Sequence, residues 1–334
     1  MIRFATKRLL QAVPVLLGLV VLVFIWVRLL PGDPARALLG ESATPAQVER
    51  LRAAYGFDRP ILEQFWMYLQ RLGRGDFGTS LTTGESVLDG FLRRFPATIE
   101  LAVAAMIFAV VLGIPIGYFA ARHRGSLLDG AAVGGSLFGF VVPVFFLAYI
   151  LKFIFALKLG WFPTAGRQDP RINATHYSGF YIVDGILTGE WDAAWDAVRH
   201  LALPAVALGA IPLAMIVRIT RASVLDVISE DYVRTAKAKG LTRRIISRRH
   251  VLRNALLPVA TIIGLQTGAL LAGAVLTETV FAINGVGSYM FNAIGSMDYP
   301  VLQACILFVA LIYTVINLLT DMSYGLIDPR ARLS

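Results

Sequence analysis

Residues able to perform covalent or proton-transfer chemistry are sparse and scattered in this sequence. Its four histidines, His123, His176, His200 and His250, each stand alone in loops or at the ends of apolar runs. No His-Glu-x-x-His pair offers zinc a helical face, and no Gly-x-Ser-x-Gly elbow presents a nucleophile. A Gly-x4-Gly-Lys-Ser/Thr loop that could cradle phosphates is also missing. Cys305, the single cysteine, lies inside an apolar run, which excludes a disulfide framework and a Cys-based zinc site. No metal site and no catalytic set is therefore expected. The dense group of ionisable residues is "SEDYVRTAKAKGLTRR" at 229–244. Read as a helix, it has Glu230 and Asp231 in the first turn and Lys237 and Lys239 in the last, with Ser229 before and Gly240 after. Ser suits an N-cap, the charges complement the helix dipole, and Gly suits a left-handed stop. A rod of about 15 Å is marginal alone in water, so something must hold it.

The elements around it are oily. Of 334 residues, 57% are hydrophobic and only 16% charged, and the mean hydropathy is +0.67. Soluble domains carry about 25% charged residues, so this is an all-α membrane protein. The net charge of +9 resides in loops rather than on one long basic face, which favours membrane lipids or a protein partner over nucleic acid. Six stretches reach the length of about 20 mostly apolar residues needed to cross a bilayer: 9–30, 97–120, 131–157, 201–220, 255–277 and 301–322. The first is expected to stay uncleaved, because its apolar run is long and it ends at Pro31 and Pro34 without a small-x-small site. The loop 218–253 holds ten Lys/Arg and the loop 278–300 none, which predicts six transmembrane helices with both termini inside. No ionisable side chain falls at mid-depth, which argues against a self-sufficient ion-coupled carrier.

Two outer segments are expected. In 31–96, Thr44-Pro45-Ala46-Gln47 has the form of a capping box and Gly56 closes that helix. The run 60–78 reads as an amphipathic helix, with Ile61, Phe65, Tyr68, Leu69 and Leu72 on one side, resting on the membrane surface or on the spans below, with direct contact to a docked partner as the alternative. In 158–200, Trp161, Trp191 and Trp195 suit an aromatic belt. Within the fifth span, Ala260, Gly264, Gly268 and Ala272 form a stripe of small residues for close helix packing, inside the bundle or against another subunit. Gln266, Thr267 and Thr277 are the polar residues that could line a path.

After Gly240, Thr242 can cap a second helix that runs into the fifth span. Its arginines, Arg243, Arg244, Arg248, Arg249 and Arg253, make a collar suited to headgroups. In the first helix Tyr232, Val233 and Ala236 are spaced to expose a small apolar patch, which favours docking to a cytosolic protein.

The stretch "EDYVRTAKAKGLTRRIISRRHVLRNALLPV" (230–259) resembles the cytoplasmic loop of permease subunits in bacterial ABC importers, most closely those of the dipeptide/oligopeptide branch. The general permease pattern is Glu-Ala-Ala, three residues, Gly, nine residues, Ile-x-Leu-Pro. Here Arg234, Thr235 and Ala236 precede Gly240, and fourteen residues separate Gly240 from Ala255, Leu257 and Pro258. Both departures look like the peptide-importer version of the loop. "LLPGDPA", "FPATIELA", "IPLAMIVRITRASVLDV", "LLAGAVLTETVF" and "DYPVLQ" agree with that branch, so the likeness spans the whole chain.

The resemblance implies a type I ABC importer permease fold and a bacterial inner-membrane location. It divides the chain into a first transmembrane helix with an external segment (1–93), a core (94–325) containing the coupling loop 221–253, and a tail (326–334). The implied partners are a second homologous permease, two cytosolic ATP-binding subunits that use ATP and magnesium, and an extracytoplasmic binding protein. The implied coupling residues are Glu230, Asp231, Tyr232, Arg234, Thr235, Ala236, Lys237, Gly240, Leu257 and Pro258. Peptide cargo is expected, with nickel or glutathione as related cargo. An autonomous channel or secondary carrier is the competing reading.

Overall fold

The computed structural model describes residues 2–40 and 43–327, with the side chains of 2–9, 12, 272 and 321–327 outside the description. The tail expected from 326 therefore lies almost wholly outside the described residues. Among the described residues the chain is helical, with one isolated β-bridge between Thr79 and Ser86.

The order begins with α1 (Ile2–Leu29), followed by three short helices, α2 (Pro34–Leu39), α3 (Pro45–Tyr55) and α4 (Ile61–Gly73). Then come α5 (Val87–Arg122), α6 (Leu127–Val141), α7 (Val144–Leu151) with a π-helical continuation to Lys158, and α8 (Tyr181–Thr188). Next are α9 (Trp191–Ser229), α10 (Asp231–Ala238), α11 (Arg243–Ile245) and α12 (Arg253–Val280), the last two joined by π-helical Ile246–Leu252. α13 (Val286–Gly295) and α14 (Tyr299–Ile327) complete the chain.

Four helical runs, Val87–Arg122, Trp191–Ser229, Arg243–Leu271 and Tyr299–Thr320, are long and apolar enough to cross a membrane, and the apolar part of α1 is Val13–Leu29. The stretch 131–157, expected as one span, is broken: α6 and the α7 helix extending to Lys158 are bent by 105°. Proline disfavours helical backbone in the residue before it, and Val142, preceding Pro143, is extended at φ −81° and ψ 121°.

α9 lies at the centre of one buried cluster, which draws Ala97 to Ala109 from α5, Leu201 to Ile216 from α9, and Val259, Leu270 and Ala274 from α12. α5 and α9 approach closely because small residues meet at the crossing. A Cβ on Gly117 would stand 2.6 Å from the Val217 carbonyl, and one on Gly209 would stand 2.7 Å from that of Ala105. A second cluster joins Val23 and Val27 of α1, Val87 and Phe91 of α5, α13 and the first half of α14. The small-residue stripe of α12 packs within the chain: a Cβ on Gly264 would meet the Thr320 side chain, and one on Gly268 the Tyr313 ring at 2.7 Å. Ala260 is half-buried beside it, while the Ala272 side chain lies outside the described residues.

The first outer segment is ordered as its turn chemistry predicts. The Thr44 amide donates to Gln47 Oε1 at 2.9 Å in the capping box, and Gly56 closes α3 with φ +69°. α4 rests on α1 through Phe24, whose ring lies 4.9 Å from Phe65 and 5.7 Å from Tyr68. Ile61, expected on that inner face, is exposed in the first turn.

Candidate functional site

α9 runs without a break from the outer segment to Ser229, well past the apolar stretch 201–220, and delivers the chain directly into α10. The cap of α10 is Glu230 rather than Ser229, whose hydroxyl donates back to the Asp226 carbonyl at 2.7 Å. The Glu230 carbonyl accepts from the amides of Val233 at 3.0 Å and Arg234 at 3.2 Å. The far end closes as a Schellman motif: the Leu241 amide donates to the Ala236 carbonyl at 3.3 Å and the Gly240 amide to that of Lys237 at 3.0 Å. Gly240 has φ +76°, the left-handed turn expected of it. Thr242 caps α11 by backbone alone, without a side-chain bond.

The sides of α10 are not arranged as the sequence reading expects. Val233 and Ala236 are buried at 0% and 5% exposure, so they form no outward apolar patch. They pack with Ala121 of α5, Val224 of α9, Ile246 and Val251 of the π-helical turn, and Ala255 of α12. The helix is thus bolted to four elements of its own chain. Glu230, Asp231, Tyr232, Arg234, Thr235, Lys237 and Gly240 remain exposed, giving a polar outer face that carries one tyrosine. Tyr232 is tied back through its hydroxyl, which accepts from Asn254 Nδ2 at 2.9 Å. Leu257 and Pro258 are exposed on α12.

Two further ties secure this end. Arg221 of α9 forms a two-point pair with Asp129 of α6, Nε to Oδ1 at 2.5 Å and Nη2 to Oδ2 at 2.8 Å. Asp129 also accepts from the Gly125 amide at 3.0 Å, closing the α5–α6 turn. Tyr118 of α5 hydrogen-bonds Ser247 of the π-helical turn. None of these pairings is legible in the sequence, although a lone aspartate opening an apolar helix is a signal that it has a partner.

At the opposite end of the bundle, Glu278 is fully buried and holds α5, α12 and α13 together. Its carboxylate accepts from the Thr98 hydroxyl at 2.6 Å and the Ser288 amide at 2.9 Å, at the N-terminus of α13. Close by, Arg167 pairs with Glu100 at 2.5 Å and donates to the Gly179 carbonyl at 2.8 Å, and Glu100 accepts from the Ile182 amide at 2.8 Å. In the same outer segment burial works against the Asp184 carboxylate, but donation from Ser178 and from the Gly179 amide prevails and lowers its pKa. The amide and hydroxyl of Thr175 likewise hold Glu190 below its usual range.

The path candidates on α12 differ in burial. Thr277 is fully buried within the chain, so it lines no open surface here. Thr267 is half-buried and donates to the Ile263 carbonyl at 2.7 Å, and Gln266 is half-buried.

Comparison with known proteins bears on this arrangement. The family model described as "Binding-protein-dependent transport system inner membrane component" matches residues 113–333, and the model for the N-terminal part of such components matches 1–102. A di/tripeptide transport system permease protein of Pseudomonas aeruginosa is 46% identical over 334 residues, covering 99% of each chain. A dipeptide transport system permease protein of Alkalihalophilus pseudofirmus is 43% identical, covering 99% of this chain and 100% of the relative. Among solved structures, an inward-facing MetNI methionine ABC transporter chain matches with a TM-score of 0.51 at 16% identity, over 70% of this chain and 93% of that one, a likeness of fold.

Proposed function

We infer the role of this chain from one premise: it belongs to the family of binding-protein-dependent transport system inner membrane components. It is a multi-pass protein of the cytoplasmic membrane and a permease subunit of an ABC importer, a transport subunit rather than an enzyme. Di- and tripeptides are the proposed cargo, in line with the relatives' names.

The proposed topology has six crossings: α1, α5, the bent α6–α7 pair, α9, α12 and α14. Both termini face the cytoplasm, because ten Lys/Arg fall in 218–253 and none in 278–300. The assembly pairs this chain with a second permease, two cytosolic ATPases and an extracytoplasmic binding protein. ATP and magnesium are handled by the ATPases, and this chain holds no cofactor of its own.

The observation that carries the reading is the two-sidedness of α10. Its inner side, Val233 and Ala236, is bolted to α5, α9, the π-helical turn and the start of α12, and its polar outer side is free. In the proposed mechanism the outer face sits on an ATPase. Closure of the two ATPases on ATP displaces α10, and the bolted side hands that displacement to the spans. Two arrangements of one rigid link, biased by a ligand that binds them unequally, satisfy the physical requirement for coupling.

The test is reconstitution in vesicles. The complete assembly should import peptide on ATP addition, and this chain alone should neither hydrolyse ATP nor sustain flux. Gly240→Pro should leave insertion intact while separating hydrolysis from import. Sustained flux by the single chain would favour an autonomous carrier instead.

A further inference from the structure

The outer segment around α8 leaves a large apolar surface uncovered by the rest of the chain. Val183, Ile186 and Leu187 stand exposed on one side of α8, and the opposite side buries Asp184 and Gly185 against α9. A Cβ on Gly185 would lie 2.9 Å from the Ala194 amide nitrogen, so α8 lies directly on the first turns of α9. Trp191 and Trp195, one turn apart on α9, are 67% and 66% exposed, and Trp161 is 58% exposed. Three carboxylates of the same segment are taken up within the chain: Asp184 binds Ser178, Glu190 binds Thr175, and Asp196 accepts from the Asp169 amide; Asp192, beside Trp191, stays exposed.

Depth identifies the occupant. Arg218 is the exposed cation at the inner end of the apolar stretch of α9. Counting about 20 residues at ~1.5 Å each back along the helix gives the ~30 Å of a hydrocarbon core and ends at Val198. Trp195 then lies about 4–5 Å and Ala194 about 6 Å beyond it, within the headgroup layer. α8, resting on Ala194, shares that depth. Arg199 stands at the boundary, exposed, with one guanidinium N–H on the Trp161 carbonyl at 3.0 Å and the others free for a phosphate.

We propose that α8 and the first turns of α9 form an interfacial element, immersed in the outer-leaflet headgroups of the bilayer. The element fixes the depth of α9 through the indoles and Arg199, and its partner is a phospholipid surface. The apolar side suits the acyl boundary, the indoles suit the headgroup level, and the cation meets lipid phosphate. The inference rests on the orientation proposed above.

The test uses the assembled importer in vesicles of phosphatidylethanolamine and phosphatidylglycerol, in a Cys305→Ala background. Nitroxide labels at Val183→Cys and Leu187→Cys are compared with one at Arg171→Cys, an exposed loop position. The oxygen-to-chelate collision ratio should be severalfold higher at the two α8 positions and unchanged by saturating binding protein. A ratio equal to that of Arg171→Cys, or exclusion of both probes by a protein neighbour, overturns the proposal. Orientation is read separately. Arg171→Cys should react with an impermeant thiol reagent on intact cells. Reaction only after disruption would overturn the topology and leave the collision ratios to decide on α8.

Discussion

Truncating Val233 separates the anchoring of α10 from its docking. The side chain is fully buried among Ala121, Val224, Ile246, Val251 and Ala255. Val233→Ala removes two methyl groups, worth roughly 1.6 kcal/mol at ~0.8 kcal/mol each. The residual cavity raises the loss to about 2 kcal/mol. An eight-residue helix has little stability of its own, so this loss falls on the docking of α10 to the spans. About 2 kcal/mol changes the docked-to-undocked ratio by roughly thirtyfold. Amide exchange over 234–241, measured on the chain in lipid nanodiscs, should accelerate by about that factor in Val233→Ala. Arg234→Ala, which removes an exposed side chain paired only with Asp231 at 3.3 Å, should leave exchange within about twofold of wild type. In the assembled importer both substitutions should reduce peptide moved per ATP hydrolysed. Unchanged exchange in Val233→Ala would refute the anchoring argument, because the inner side of α10 would then hold nothing.

The contact between α13 and α12 allows a steric test. A Cβ on Gly287 would stand 2.5 Å from Val275 Cα, and one on Gly295 of the same helix would meet nothing within 4 Å. Overpacking costs about 1–3 kcal/mol and helix propensity returns up to about 1, so Gly287→Ala should lower the thermal midpoint in detergent and Gly295→Ala should hold or raise it. Equal shifts would refute the close approach. The outer segment should also loosen in acid. The Asp184 pKa is lowered in the folded chain by Ser178 and Gly179 despite burial, so its stabilisation is present above the ordinary carboxylate value near ~3.9 and lost as pH falls through the folded value. Exchange over 175–190 should rise as the pH falls below about 4, and Asp184→Asn should flatten that rise.

What the sequence conveyed follows from which constraints are one-dimensional. A bilayer demands length and apolarity along the chain, so the helical class and the apolar stretches were readable. The cap of α3 and the left-handed stop at Gly240 are also local, and both were found where their residue types put them. The direction in which Val233 and Ala236 point was not readable. An apolar pair at helical spacing looks the same whether it meets a partner or its own chain, and only the folded positions of Ala121 and Ile246 decide. Thr98 and Glu278 meet across 180 residues of separation, and Asp129 and Arg221 across 92, so no local pattern announces either pair. The break at Pro143 depends on Val142 leaving the helix, whereas Pro204 and Pro212 remain inside α9. Residue type alone does not separate those outcomes.

One helix connects these separate features. α5 supplies buried residues to all three clusters: Val87 and Phe91 to the outer one, Ala97 to Ala109 to the central one, and Ala121 to the one that grips α10. Through Thr98 it also reaches the Glu278 carboxylate and the Val286 amide, the latter at 2.9 Å. α9 meets it along the middle with backbone against glycine, at Gly117 and Gly209, where neither helix can slide without a clash. Under the proposed coupling, a displacement entering at α10 would not be absorbed between α5 and α9, and the pair would move as one body. The outer cluster, with α1, α13 and α14, is joined to that body through the start of α5 and the buried Thr98–Glu278 bond. In the proposed mechanism, motion entering at α10 would reach the opposite end of the bundle at the seam between α12 and α13, where a Cβ on Gly287 would stand 2.5 Å from Val275 Cα.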